Sequence, residues 1–113
     1  MKQVLFLVIV LLAACNGSNP VAPTFPARPA CQTFSTATIS FGNRTTSNTT
    51  YDIFWDELPV ATVAPNQTSA TIVAVAGVAH SLSFHVTNTS ATACTPSNPV
   101  PTLCGTPIYT CSF

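Results

Sequence analysis

The strongest constraint on the fold is an alternation of apolar and polar residues with a period of two. Residues 80–87 have the sequence His-Ser-Leu-Ser-Phe-His-Val-Thr, and residues 34–41 alternate in the same way. This period places one face of a strand against a core and the other face in water. No window from Cys31 onward shows sustained helical periodicity. This part of the chain is therefore predicted to form strands.

Six segments are predicted to be strands, with turn-forming residues between them. They cover residues 34–41, 50–55, 60–63, 69–75, 80–87 and 108–113. Pro59 lacks an N–H donor, so the third strand is predicted at a sheet edge, and Gly77 is predicted to end the fourth. Six or seven short strands predict an all-β domain, a small antiparallel β-sandwich of the immunoglobulin or prealbumin type. A small barrel is the alternative.

The amino-terminal segment has the pattern of an export signal. Lys2 precedes an uninterrupted apolar run from Val4 to Leu12, which is too short to span a bilayer as a helix. Leu12-Ala13-Ala14-Cys15 follows, and this ending resembles the lipobox of bacterial lipoprotein precursors.

The lipoprotein resemblance implies how the chain is processed and where it is located. The leader, residues 1–14, would be cut before Cys15, whose thiol would carry diacylglycerol and whose new amino group would be acylated, for example with palmitate. The resemblance thus implies an anchored protein of the cell envelope. Asn16 follows the cysteine in place of the aspartate that favours inner-membrane retention in that family. The outer membrane is therefore expected if the organism has one.

A proline-rich segment separates the anchor from the predicted domain. Prolines stand at every third position, at Pro20, Pro23, Pro26 and Pro29. Proline restricts its own φ and the conformation of the preceding residue, so an extended spacer is predicted. The predicted organisation is a signal peptide at 1–14, a lipidated cysteine and tether at 15–30, and a β-sandwich at 31–113.

The cysteine count supports both lipidation and disulfide formation. The chain has five cysteines, and an odd count in an exported protein leaves one thiol over. If Cys15 is acylated, Cys31, Cys94, Cys104 and Cys111 can form two disulfides that stabilise a small core. Three pairings are open, and Cys94–Cys104 with Cys31–Cys111 is the one we expect. A zinc site is disfavoured because no Cys-x-x-Cys is present.

Part of the domain resembles the β-domain of the von Hippel–Lindau family. The similar stretches are residues 39–45, 54–59, 62–65 and 80–84. The resemblance implies a β-sandwich. His80 falls near a histidine that contacts the hydroxyproline ligand in that family. Leu82 and Ala74 replace its tryptophan and serine partners, so the peptide-binding function is not transferred.

The chemistry-bearing residues are few and do not form a catalytic pattern. His80 and His85 are predicted on opposite faces of one strand and therefore cannot act as a pair. The three carboxylates, Asp52, Asp56 and Glu57, lie around one predicted hairpin and fit turn formation better than acid–base catalysis. No enzymatic activity, catalytic residue, metal site or cofactor is expected, apart from the covalent lipid on Cys15.

Charge and aromatic residues define the remaining expectations about partners. After Cys15 the chain has two arginines and three carboxylates, too few cations for nucleic-acid binding.

Tyr51 and Trp55 share one strand face and Phe54 lies on the other, so these aromatics are either core or, if exposed, a patch that binds protein or glycan. The first hypothesis is a membrane-anchored, non-catalytic interaction or structural module with an envelope or extracellular partner. The alternative is a small-ligand or glycan-binding lipoprotein that uses the patch near Trp55.

Overall fold

A computed structural model of the protein describes residues 26–113. The predicted leader, Cys15 and residues 16–25 of the predicted tether lie outside the described residues. The elements are α1 (Ala30–Phe34), β1 (Thr36–Asn43), β2 (Tyr51–Trp55), β3 (Leu58–Val63), β4 (Ile72–Val75), β5 (Leu82–Val86) and β6 (Ile108–Cys111). Every predicted strand is present, which confirms the all-β prediction.

The strands form two three-stranded sheets, with the orders β4-β1-β6 and β3-β2-β5. Both neighbours of β2 are antiparallel to it, and β4 is antiparallel to β1. By contrast, β6 runs parallel to β1, with Ile108 opposite Ser40. This one pairing departs from the antiparallel expectation. Parallel strands cannot be joined by a tight turn, and here β2 to β5 and the segment 87–107 lie between β1 and β6 in the chain.

The inner faces of the two sheets enclose one core. The strands β1, β2 and β5 contribute alternate side chains to it: Ala37, Ile39, Phe41, Tyr51, Ile53, Trp55, Leu82 and Phe84. The ring centroids of Phe41 and Trp55 lie 5.8 Å apart, so the two sheets make contact through these aromatics. Burial of each large apolar side chain contributes about 1.5–3 kcal/mol to the free energy of folding. A shift of one residue in register would expose a whole row of them.

The turn and edge predictions are confirmed at two positions. Pro59 lies in β3, which is an edge strand of its sheet. Gly77 follows β4 with a φ of 78°, a left-handed conformation that glycine adopts without steric cost.

The first element differs from the prediction, which began a strand at Phe34. A single helical turn occupies Ala30–Phe34 instead, and none of its residues is buried. It ends at Ser35, whose φ of 54° is left-handed, and β1 begins at the next residue. A helix this short is not stable alone, so its position depends on a covalent link to the domain.

That link is one of two disulfides, which join Cys31 to Cys104 and Cys94 to Cys111. Disulfide formation by these four cysteines is confirmed, but the expected pairing, Cys94–Cys104 with Cys31–Cys111, is wrong. The Cα atoms are 5.1 Å apart in the first bridge and 5.8 Å apart in the second.

The direction of β6 explains the pairing. Because β6 runs parallel to β1, it places Cys111 opposite Asn43, at the end of β1 away from α1. Cys104 instead lies beside the start of β1, where its N–H donates to the Thr36 carbonyl at 2.9 Å. Cys104 is therefore the cysteine within reach of Cys31.

A buried amide organises the loop between β1 and β2. Asn43 is completely buried, and its Nδ2 donates to the carbonyls of Thr49 at 2.7 Å and Val63 at 3.2 Å. Its Oδ1 accepts from the Thr45 N–H and hydroxyl at 3.3 and 2.9 Å. This side chain, at the end of β1, thus makes three hydrogen bonds to the loop and one to β3.

Candidate functional site

The three aromatic residues considered for ligand binding do not form one exposed patch. Tyr51 is 2% exposed and Trp55 is 6% exposed, and both belong to the core. Phe54 lies half-buried on the opposite face of β2, where its ring is 4.6 Å from that of His85. Only Phe54 is therefore accessible from the outer face of its sheet.

A polar cluster beside the buried Trp55 is centred on His80. Its ring stacks on Trp55, with centroids 4.6 Å apart and planes inclined by 25°. Its Nδ1 lies 2.7 Å from Oδ2 of Asp56, and its Nε2 lies 2.7 Å from the Val75 carbonyl oxygen. Asp56 also accepts the Ser81 N–H at 3.0 Å. His80 thus joins the end of β4 in one sheet to the β2–β3 turn of the other.

The geometry indicates the protonation state of this pair. A carbonyl oxygen only accepts, so Nε2 carries a proton, and an ionised Asp56 requires a second proton on Nδ1. Burial by itself lowers the pKa of His80, but the hydrogen bond to Asp56, the Val75 carbonyl and the Asp56 charge together raise it above the ordinary 6.5. The hydrogen bond from His80 holds the pKa of Asp56 below 3.8. The cluster is an ion pair stacked on an aromatic face.

Backbone strain lies in the same turn. Asp56 has a φ of 50° and Glu57 a φ of 67°, as in the two-residue turns that match the twist of a hairpin. Glycine and asparagine usually occupy such positions, and other residues cost about 1 kcal/mol there. The hydrogen bonds from His80 and Ser81 to Asp56 hold this turn in place.

A shallow cleft of about 290 Å³ lies beside β5 on the outer face of its sheet. One wall is the segment 91–97, which follows β5 through hydrogen bonds such as Ser97 N–H to the Leu82 carbonyl at 3.0 Å. The Cys94–Cys111 disulfide fixes this wall to β6. The polar residues in its lining are Glu57, Ser81, Ser83, His85, Thr92, Ser97 and Asn98.

The exposed lining of the cleft is mostly apolar and carries a few hydrogen-bonding groups. Its hydroxyl, amide, imidazole and carboxylate groups can donate to and accept from a polyhydroxyl ligand. Among residues 26–113, no group of three or more His, Cys, Asp and Glu side chains is arranged to hold a metal ion. In the same part of the chain, no helix is long and apolar enough to cross a bilayer.

Sequence reasoning did not find the His80–Asp56 pair. These residues are 24 positions apart, and the sequence contains no spacing signal that links them. It did place His80 and His85 on opposite faces: His80 is buried, and the ring of His85 lies beside that of Phe54 on the outer face of the sheet. No family model, curated protein or solved structure matches the chain.

Proposed function

We propose that the protein is a lipid-anchored, non-catalytic interaction module of the cell envelope. In this proposal the leader is removed, Cys15 carries the lipid, and the β-sandwich faces water at the end of the proline-rich tether. An outer-membrane location is proposed for an organism that has one, because Asn16 replaces the aspartate associated with inner-membrane retention.

The observation that carries the proposal is the use of the cysteines. The two disulfides include all four cysteines in residues 26–113. None of these four is therefore left to pair with Cys15, the fifth cysteine of the chain. An unmatched cysteine directly after Leu-Ala-Ala at the end of an apolar leader fits a lipid acceptor better than a structural thiol.

The anchor and the domain have different physical tasks. Each buried methylene group of an acyl chain contributes about 0.8 kcal/mol, so two or three chains hold the protein at the bilayer. The tether was predicted to end at residue 30, but Ala30 begins α1; residues 16–29 extend to about 45 Å if they adopt the polyproline conformation. The domain then meets its partner at a distance from the headgroups.

The test compares the wild-type chain with Cys15→Ser, both expressed with their own leader in a bacterium that processes lipoproteins. The wild-type protein should fractionate with membranes, and mass spectrometry of its first peptide should show Cys15 bearing diacylglycerol and an amino-terminal acyl chain. Cys15→Ser should lose both modifications and leave the detergent phase. Asn16→Ala is the matched control, because it changes the adjacent residue and keeps the acceptor thiol.

Two outcomes would contradict the proposal. One is a wild-type chain that begins at an unmodified Cys15, and the other is a Cys15→Ser protein that still carries lipid. The first result would leave a small exported β-domain without an anchor, and the second would place the lipid on a residue other than Cys15.

The cleft supports a second candidate function, the binding of a glycan or another small polyhydroxyl ligand. It replaces the patch around Trp55 as the place for this activity, because Trp55 is buried. Glycan-array screening of the wild-type protein should identify a ligand, and His85→Ala should weaken its binding. Thr46→Ala, at an exposed position outside the cleft lining, is the control. Equal binding by both variants would rule out the cleft as the site.

A further inference from the structure

The outer side of the sheet β4-β1-β6 carries an apolar face, which consists of Val73 and Val75 of β4 and Ile108 of β6. Each of the three pairs with a β1 residue that alternates with the buried Ala37 and Ile39, so their side chains lie on the outer side of the sheet. They are 70%, 52% and 57% exposed, respectively. Three large apolar side chains on one side of a sheet form a surface that a partner can cover.

The charges of the domain are separated between its two sheets. The strands β1, β4 and β6 contain no Lys, Arg, Asp, Glu or His. The three carboxylates of the chain, Asp52, Asp56 and Glu57, lie in β2 and in the β2–β3 turn of the other sheet. A partner that covers the apolar face therefore does not have to desolvate a charged group within it.

A cation lies at the rim of the apolar face. The Arg44 Nη2 donates to Thr68 Oγ1 at 2.9 Å. This hydroxyl oxygen and a methyl carbon of Ile108 lie on the outer side of Gly42, 3.8 and 3.7 Å from the point that a Cβ atom would occupy. Arg28, the other arginine among residues 26–113, is exposed two residues before α1. Positive charge thus borders the apolar face, whereas the carboxylates belong to the opposite sheet.

The tether joins the domain at the same sheet. The Cys31–Cys104 disulfide fixes α1, and Cys104 is hydrogen-bonded at the start of β1, the central strand of β4-β1-β6. Two further exposed apolar residues are close to this attachment in the chain, Phe34 at the end of α1 and Leu103 beside Cys104. The chain that leads from the bilayer therefore arrives at the sheet with the apolar face.

We propose that the apolar face binds the surface of a bilayer that contains anionic lipids, with Arg44 at the headgroup phosphates. Binding of this kind increases with the apolar area that is buried and with the attraction between cations and anionic lipids. A bilayer is favoured as the occupant because the positive rim matches its surface charge and because the tether arrives on this side. The sheet β3-β2-β5, about 10 Å further from the headgroups, then presents its cleft and its carboxylates to the water.

The inference rests on the proposed lipid anchor. Three apolar side chains and one rim cation bind a bilayer only weakly, and the anchor raises the concentration of the face at the membrane. The test therefore uses the full processed protein with its lipid, reconstituted into vesicles of phosphatidylethanolamine and phosphatidylglycerol with brominated acyl chains. Bromine atoms quench the fluorescence of a tryptophan that reaches the bilayer.

Two variants place a tryptophan reporter on opposite sides of the domain. Ile108→Trp lies on the apolar face, and Thr62→Trp lies at an exposed position of β3, opposite Asp52 in the other sheet. The emission of Ile108→Trp should be strongly quenched. The emission of Thr62→Trp should be quenched no more than that of the wild type, whose single tryptophan is the buried Trp55.

Further substitutions in the Ile108→Trp protein test the apolar and the electrostatic contributions. Val73→Asp should abolish the quenching, because a carboxylate would have to be desolvated within the face. Asn88→Asp adds the same charge at an exposed position next to β5, in the other sheet, and should keep the quenching. Arg44→Gln should weaken membrane binding by the face about fivefold, whereas Arg44→Lys keeps the charge and should preserve it.

Failure of the face and failure of the anchor give different results. A protein that floats with the vesicles and carries lipid on Cys15, but shows no quenching at position 108, overturns membrane binding by the apolar face and leaves the anchor intact. A protein that does not float overturns both proposals. Equal quenching at positions 108 and 62, or quenching that persists in Val73→Asp, also overturns binding by the face.

Two controls complete the test. Resistance to proteolysis in detergent shows whether each variant is folded, and Arg44→Gln, at an exposed residue, tests the proposal if Val73→Asp does not fold. Chemical cross-linking in the vesicles detects a second copy of the chain on the face. Cross-linked dimers with an unquenched tryptophan at position 108 would assign the face to self-association and overturn the proposal.

Discussion

The substitution Asn43→Asp tests the central role of the buried amide, because it preserves shape and removes two donors. The Asn43 side chain makes four hydrogen bonds, of which the two donated to the Thr49 and Val63 carbonyls would both be lost once the new carboxyl group is ionised. A buried polar group without a partner costs about 1–3 kcal/mol. A protonated carboxyl group still donates to one carbonyl, so the expected loss in unfolding free energy near pH 4 is about 1–3 kcal/mol.

The loss should grow with pH. Burial against two carbonyl oxygens raises the pKa of an aspartate at position 43 above its value in the unfolded chain. The folded state then holds a proton that the unfolded state releases, so stability falls as the pH rises from about 4 toward neutrality. With both carbonyls unpaired and a buried charge, we expect a loss of about 3–5 kcal/mol at pH 7. The unfolding free energy of a whole domain is typically only about 5–15 kcal/mol.

Urea unfolding measures this directly, with the buried Trp55 as the single tryptophan reporter. Asn48→Asp is the matched control, because it makes the same chemical change at an exposed position of the same loop. The reasoning is refuted if Asn43→Asp and Asn48→Asp unfold at the same urea concentration at pH 7. It also fails if the Asn43→Asp loss is no larger at pH 7 than at pH 4.5.

Two further predictions concern the β2–β3 turn. Because the pKa of Asp56 is lowered in the folded state, its contribution to the unfolding free energy is lost as the pH falls below 3.8. Because the pKa of His80 is raised in the folded state, its contribution is lost as the pH rises above 6.5 and through the raised pKa. Asp56→Asn should therefore lower the unfolding free energy by about 1 kcal/mol at pH 6, and this free energy should then decline less between pH 6 and 8. Urea titrations at several pH values measure this. An unchanged dependence of the unfolding free energy on pH would assign the decline to other groups. Glu57→Gly should raise the unfolding free energy by about 0.5–1 kcal/mol, because glycine adopts the positive φ without strain. Glu57→Ala keeps the strain and should give no gain in the same measurement, so equal gains would show that the lost carboxylate is responsible.

The strands were predictable because their signal is local. In β5 the face that carries Leu82 and Phe84 is the buried one, and in β1 the side chains of Ala37, Ile39 and Phe41 are buried. From Ile39 to Asn43 the other face of β1 is buried as well, which the alternation does not predict. The helix at Ala30–Phe34 was not predictable in this way. One turn without a buried side chain leaves no periodic pattern, and it follows from Pro29 and a distant disulfide.

The candidate site was less accessible to sequence reasoning. The aromatic positions 51, 54 and 55 were assigned to the correct faces of β2, but only packing determines which face is covered. The cleft depends on the segment 91–97 lying along β5. Neither the composition of this segment nor a periodic pattern in it predicts that it pairs with β5.

The sequence alone determined the strand segments, the turn at Gly77, the edge strand that contains Pro59, and the number of cysteines available to pair, because each depends on neighbouring residues or on counting. The direction of β6, the partners of the cysteines and the His80–Asp56 ion pair were decided only by the tertiary structure. These features join residues that are distant in the chain, and the path of the connections between the two sheets sets which of them meet.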